Sequence, residues 1–258
     1  MNAAPQDRRF ANTLARGLSI LRAFRASDDG LTHSELAART GLPNSTVSRL
    51  TYTLSTLGFL SHAGRKDRYR LGPAAFGLGN VAAASVSFVE VGRGILQQLA
   101  DDTGTLVSLA VRDGDRVMLA KTWRPVGTAS IWLEPGHRIP VFGSSSGRAI
   151  IAALDEAVFR ASNPEDRLVA FRAGGYDDLI AQGFTIAPAE TRFSTSVNAV
   201  AVPFHADEFG EPVAFSCGAL PQMLSEERMR ETVGPALQKT VRALEQMTGR
   251  SPALARRG

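Results

Sequence analysis

At 258 residues, 44% hydrophobic and 21% charged, the chain is long enough for one large domain or two modest ones, each with its own core. No apolar run approaches the roughly 18–20 residues of a bilayer span, residues 1–9 lack a secretion signal's apolar segment, and the lone Cys217 allows neither an internal disulfide nor a Cys-based zinc site, so a cytoplasmic protein is expected. The net charge of +4 is uneven: residues 1–72 carry 11 Lys/Arg against 5 Asp/Glu and the remainder 18 against 20, which points the N-terminal part toward a polyanion.

Residues 1–11 are polar and are expected to be a flexible N-terminus. Leu14, Leu18, Leu21 and Phe24 recur at helical spacing and predict a first helix of about 12 residues, ending before Ser27-Asp28-Asp29-Gly30. Thr32 and Glu35 have the spacing of a capping box, with Leu31 and Leu36 as its hydrophobic staple, and start a second helix. Gly41 ends that helix and Pro43 opens a third. At 100° per residue the third helix carries Val47, Leu50, Leu54 and Leu57 on one side and Ser45, Ser48, Arg49 and Tyr52 on the other. An ordinary amphipathic helix would share the apolar stripe. The order helix, tight turn, helix, with the polar-faced helix second, is that of a helix-turn-helix. On that reading Arg49 reads a base, since its fork matches guanine, and Asn44, Ser45, Thr46, Ser48 and Tyr52 are further contacts to double-stranded DNA.

Two short strands at 58–62 and 68–71 predict a hairpin, or wing, bearing Arg65, Lys66, Arg68 and Arg70, which suit phosphates although exposed hairpins are also charged for solubility. The small-residue stretch after Pro73 reads as a linker helix over 73–87. The expected organisation is therefore a winged helix-turn-helix over 12–72, the linker, a second domain over 88–250 and a flexible tail over 251–258.

In the second domain Val91, Ile95 and Leu99 predict a helix over 88–102, and 105–111 and 116–121 flank a hairpin turn around Gly114. Strands are predicted at Ile131–Leu133, Phe184–Ile186, Val197–Pro203 and Val213–Gly218, and helices at Gly147–Leu154, Asp177–Gln182 and from Ser225, the last kinked at Pro235 with Met229, Val233, Leu237, Leu244 and Met247 in one stripe. An antiparallel sheet with helices on its faces is an α+β domain. Trp123, Trp132 and Cys217 are expected in its core.

Gly143-Ser144-Ser145-Ser146-Gly147 precedes a helix, where free amide groups and hydroxyls suit a carboxylate, with Arg148 adjacent; a plain helix cap is the alternative. The same residues satisfy G-x-S-x-G, which makes Ser145 a hydrolase nucleophile with Asp177 or Asp178 and His205 as partners. Some 170 residues are few for such a sheet and no HGGG-type oxyanion motif is present, so the expectation is no enzyme. A winged domain that mediates only protein contacts is a further alternative. His33, His62, His137 and His205 are scattered, so neither metal nor cofactor is expected.

The run Arg16-Gly17-Leu18, Gly30-Leu31-Thr32, Glu35-Leu36-Ala37, Gly41 to Thr46, Arg49-Leu50, Leu57 to Leu60 and Tyr69 to Gly72 resembles the winged helix-turn-helix of IclR-type bacterial transcriptional regulators. Gly136 to Pro140, Gly147-Arg148-Ala149, Gly183-Phe184, Val200 to Pro203 and Glu211 to Ala214 resemble that family's GAF-like effector-binding domain more loosely. The resemblance implies a linker helix that helps pair subunits, a homodimer or a dimer of dimers, and palindromic promoter DNA. It implies an effector-binding set of Ser144, Ser145, Ala189, Ala199, Ser216 and Gly218, to which the anion seat at the helix start adds Ser146 and Gly147. Ala189, Ala199 and Gly218 replace the family's usual acidic residue, cysteine and serine, so the expected effector is less polar than a small keto-acid: a carboxylic acid that is aromatic or carries an apolar tail.

Overall fold

Ile20, Leu31, Leu36, Val47, Leu60 and Tyr69 are brought together from three helices and a hairpin into a core of their own. The computed structural model describes residues 9–63 and 68–254. They divide into two units, the first running to Ser85 and the second from Val86. Residues 1–8 and 255–258, parts of the expected flexible ends, lie outside the described residues.

The first unit contains α1 (Asn12–Leu21), α2 (His33–Thr40), α3 (Asn44–Thr56), β1 (Leu60–Ala63), β2 (Arg68–Leu71) and α4 (Pro73–Ala84). The capping box is formed, with the Thr32 hydroxyl accepting from the Glu35 amide at 3.3 Å and the Glu35 carboxylate accepting from the Thr32 amide at 2.8 Å. Gly41 closes α2 at φ +70°, a left-handed conformation that suits glycine, while Pro43 stands one position before α3 rather than inside it.

The stripe expected on α1 is displaced. Gly17 and Ile20 are its buried residues, whereas Leu14 and Leu18 are exposed. Gly17 faces Leu50 of α3, and a Cβ placed on it would lie 4.0 Å from Leu50 Cδ2, an ordinary packing distance. Leu57 is exposed as well, because α3 ends at Thr56 and Gly58, at φ +75°, turns the chain away. Thr51 takes the buried place instead, its hydroxyl 3.0 Å from His33 Nε2.

The second unit holds a six-stranded antiparallel sheet in the order β5-β4-β3-β8-β7-β6, made of β3 (Leu106–Asp113), β4 (Arg116–Trp123), β5 (Arg138–Pro140), β6 (Thr185–Ile186), β7 (Asn198–Phe204) and β8 (Val213–Ala219). Strand alternation sorts its side chains into two cores. Val107, Leu109, Val202, Phe204, Phe215 and Cys217 pack with α5 (Ser87–Thr103) and α10 (Gly234–Thr248). Ala110, Leu119, Ala201 and Ala214 pack with α6 (Ser145–Ala153), α7 (Glu156–Ala161) and α8 (Asp166–Ala181).

Several expectations are corrected here. Residues 131–134 form no strand; the edge is β5, and Pro140 at its end pairs with Arg116, an edge position where a missing N–H is tolerated. On α5 the buried residues include Phe88, Val89, Gly92, Leu96 and Leu99, and Val91 faces solvent. Trp123 is buried, but Trp132 is 68% exposed, with the Arg124 guanidinium 3.3 Å above its ring. Met247 is exposed too, while the other four residues of its stripe are buried. The kink expected at Pro235 is a π-helical turn, Met229–Val233, leading from α9 (Glu226–Arg228) into α10.

The helix expected at 177–182 is the last third of α8, and α7 was not anticipated. Gly174 and Gly175 sit mid-helix and make room for Arg148 of α6. A Cβ on Gly174 would lie 2.7 Å from Arg148 Nη2, and one on Gly175 2.8 Å from its Cγ. Arg148 is buried, donates to Asp178 at 3.0 Å and stacks over Phe171. Burial raises the Asp178 pKa above its ordinary value even though Arg148 opposes the shift.

Candidate functional sites

Burial of Val47 and Thr51 against the first core turns the opposite side of α3 to solvent. Asn44, Ser45, Ser48, Arg49, Tyr52 and Thr53 are exposed there and Thr46 is half-buried. The Arg49 guanidinium has no hydrogen-bond or acidic partner among the described residues. The wing differs. Arg68 donates to the Gly30 carbonyl at 2.8 Å and to the Glu35 carboxylate at 3.1 Å, and Arg70 donates to Asp29 at 2.5 Å. Arg68 therefore pins β2 to the start of α2, where Leu31 and Tyr69 also exchange backbone hydrogen bonds. Hydrogen bonds from the Thr32 amide and hydroxyl, helped by Arg68, hold the Glu35 carboxyl below its ordinary pKa. Arg65 and Lys66 lie outside the described residues.

In the second unit a cavity of about 190 Å³ opens between the start of α6 and the sheet. Leu106, Leu119, Ile131, Leu133, Ile139 and Val197 give it apolar walls. Its polar lining comes from Ser144, Ser145, Ser146, Ser108, Ser216, His137, Ser194 and Arg192, the last paired with Glu226. Of the residues singled out from sequence, Ser144, Ser145, Ser146, Ala199, Ser216 and Gly218 line it. Gly147 does not: it is a packing glycine, whose Cβ would fall 2.2 Å from the Val141 carbonyl oxygen. Ala189 sits on an exposed turn and is not part of the lining either.

The hydroxyls divide into those already used by the fold and those left over. Ser144 caps α6, accepting from the Gly147 amide at 3.0 Å and donating to the Val141 carbonyl. Ser145 donates to the Ala199 carbonyl at 2.6 Å and accepts from the Ala187 amide at 2.9 Å, which ties α6 to β7 and to the segment after β6. Ser146 is buried at the cavity, and its hydroxyl has no partner among the described residues. Ser108 and Ser216, directly opposite each other on β3 and β8, share one hydrogen bond at 2.8 Å, so one of the two protons stays available. The first-turn amides of Ser145 and Ser146 have no carbonyl within α6 to bond. One end of the cavity thus gathers donors without a carboxylate, and the rest is greasy, which suits an organic anion.

These contacts overturn the hydrolase alternative. The proton of Ser145 is spent on a backbone carbonyl, Asp178 is bonded to Arg148 and His205 to Asp207, and Asp177 borders a different cavity, so no acid–histidine–serine relay is assembled. Cys217 is fully buried on the other side of β8, and burial pushes its thiol up to about 12, far from a reactive thiolate. Among the described residues no group of three His, Cys, Asp or Glu could hold a metal ion, and no single helix is long and apolar enough to cross a membrane.

Sequence reasoning missed Ser108, His137, Phe193 and Ser194 in the lining. Ser108 was within reach, as the lone hydroxyl in the run Val107-Ser108-Leu109 pointing to the face opposite the apolar core. Phe193 and Ser194 lie in an irregular stretch with no periodicity to place them.

The family model described as the IclR helix-turn-helix domain matches residues 13–64, and that for the C-terminal region of the bacterial transcriptional regulator IclR matches residues 81–174. The chain is similar to the Pca regulon regulatory protein of Pseudomonas putida, 30% identical over 155 residues, which is 60% of this chain and 53% of that protein. It spans about half the length of the first curated relatives it matches. A solved structure of an IclR family transcriptional regulator from Brucella abortus has a TM-score of 0.74 at 29% identity, with 94% of each chain covered. An IclR homolog from Microbacterium hydrocarbonoxydans, complexed with 4-hydroxybenzoate, shares the fold at a TM-score of 0.63 and 21% identity, covering 90% of this chain and 99% of that one.

Proposed function

Because the chain belongs to the IclR family of bacterial transcriptional regulators, we propose that it binds duplex promoter DNA through α3 and the β1–β2 wing, under the control of a small organic acid seated at the start of α6. The observation that carries the DNA half is the outward face of α3, where an arginine without an acidic partner among the described residues stands among hydroxyls and α3 itself bears no acidic side chain. In this reading Arg49 reads a base, Asn44, Ser45, Thr46, Ser48 and Tyr52 make supporting contacts, and Arg65 and Lys66 meet phosphates. Arg68 and Arg70 primarily hold the wing in place. The boundaries proposed are 12–72 for the winged domain, 73–87 for the linker helix and 88–250 for the effector domain, in a cytoplasmic protein.

A single short helix reads only a few base pairs, so the functional form is at least a homodimer on a palindromic site. The apolar residues left exposed on α1 and α4, with Phe76 at 72%, support such pairing.

The cavity of about 190 Å³ is below the roughly 300–1,000 Å³ usual for drug-sized ligands, and a cavity of about 150 Å³ accepts benzene. One ring with one carboxylate is therefore the effector class that fits, with the carboxylate at the Ser146 end. The relative that carries 4-hydroxybenzoate has the same fold, which agrees with this class. The acid acts by favouring one arrangement of the DNA-binding units over another, since equal affinity for both would shift nothing.

Selection of genomic DNA by the purified full chain, followed by calorimetry with aromatic and keto-acids, tests both halves. We expect recovery of related palindromic fragments and tighter binding of benzoate-type acids than of pyruvate or glyoxylate. Retention of no duplex at low salt would sink the DNA reading, and tight pyruvate binding with none of the aromatic acids would sink the effector class.

A further inference from the structure

We propose that Arg16 of α1 is a second DNA ligand, holding a backbone phosphate at the edge of the groove that α3 enters; the assignment rests on the DNA-binding reading above. Thr13 and Arg16 of α1 and Ser48, Arg49, Tyr52 and Thr53 of α3 border one cleft of about 540 Å³. All six residues are exposed. With Thr46, which also borders it, the cleft presents two guanidinium groups and five hydroxyls, and among the described residues no carboxylate lines it. That is the chemistry of an anion site shared between two helices.

The packing of the helices explains why these two arginines meet. Gly17 of α1 faces Leu50 of α3 across the helix contact, and Arg16 and Arg49 are the residues immediately before them. Each is therefore turned one step from the contact, along the same cleft. Other arginines of this unit are committed elsewhere, Arg39 to Asp28, Arg68 to Glu35 and Arg70 to Asp29. Arg16 has no side-chain partner among the described residues.

Distance separates its role from that of Arg49. Packed helices lie about 8–10 Å apart, axis to axis, and the major groove is about 12 Å wide. With α3 centred in the groove, a side chain on the neighbouring helix falls beyond the groove wall, at the sugar-phosphate backbone rather than at base edges. Arg16 should therefore contribute charge and position without reading sequence.

The test measures binding of full-length wild type, Arg16→Ala, Arg16→Lys and Arg49→Ala to a selected promoter fragment and to a random duplex of equal length, over a salt series. Loss of one phosphate contact reduces the slope of log K against log salt by about 0.9. Arg16→Ala is expected to show that reduction with an equal fold-loss on both duplexes, and Arg16→Lys to restore the slope. Arg49→Ala is expected to lose about 5- to 150-fold on the selected fragment alone, from roughly 1–3 kcal/mol of base discrimination. If Arg16→Ala keeps the wild-type slope and affinity, or loses affinity only for the selected fragment, the phosphate assignment is overturned while the DNA-binding reading stands. If wild type retains neither duplex at low salt, the DNA-binding reading itself fails. Arg16→Gln, whose melting temperature is compared with wild type, replaces the alanine variant if the latter does not fold.

Discussion

Ser146→Ala separates ligand binding from folding at the α6 cavity. The Ser146 hydroxyl is buried at the cavity without a partner among the described residues, so its removal should leave thermal stability within about 0.5 kcal/mol of wild type. A hydrogen bond to a charged ligand contributes roughly 1.5–3 kcal/mol, and 1.4 kcal/mol is a factor of ten, so the affinity for an aromatic carboxylate should fall about 10- to 150-fold. Ser145→Ala should do the reverse. That hydroxyl serves the Ala199 carbonyl and the Ala187 amide, both in the interior, and leaving them unmatched should cost about 1–3 kcal/mol of stability. Calorimetric titration with benzoate-type acids, paired with thermal melts, reads both quantities. If Ser146→Ala binds as wild type, or if Ser145→Ala loses the acid while melting normally, the division of the hydroxyls argued here is wrong.

Gly147→Ala should destabilise the second unit by about 1–3 kcal/mol and abolish acid binding, because its Cβ would press on the Val141 carbonyl and on the Ser144 cap; melts and titration check it. Asp28, bonded through both carboxylate oxygens to Arg39, has its pKa held below the ordinary 3.8. A depressed carboxylate pKa contributes stability that is full above the unfolded value and is lost as pH falls through the folded one, so protection of α2 amides against hydrogen exchange should decline below about pH 4 in wild type and be flatter in Asp28→Asn. Phe76→Glu on α4, which has no buried residue in this chain, should leave the fold intact and reduce self-association, read by sedimentation.

The turn chemistry of the first unit was legible because it is local. A capping box, a left-handed glycine and a proline each act within a few residues, and all three stand where the spacing puts them, to within one position. Stripes were less faithful, since a helical projection treats the helix as unbounded and its partner as featureless. Leu57 fell outside because Gly58 ends the helix, and Leu14 and Leu18 because α1 turns its Gly17 and Ile20 side to the core, a glycine being invisible to any hydrophobic count. In the second unit the β3–β4 hairpin and strands β7 and β8 are runs of seven or eight largely apolar residues bounded by turn signals, whereas β5 is three residues long and ends in proline. The cavity was half legible: its serine loop is contiguous, but which hydroxyl stays free depends on carbonyls contributed by β7 and by Val141, which no spacing rule could pair with it.

The interlock of Arg148 with Gly174 and Gly175 also limits how this protein can diverge. While the arginine is present, a methyl group at Gly175 would meet its Cγ and backbone and one at Gly174 would push its guanidinium aside, and while both glycines are present, a shorter residue at 148 would leave Asp178 without its bonded counter-charge and a void beside α8. Each single step passes through a poorer molecule, so the three positions are free to drift only in concert, and descendants of this sequence should keep or replace them as a set.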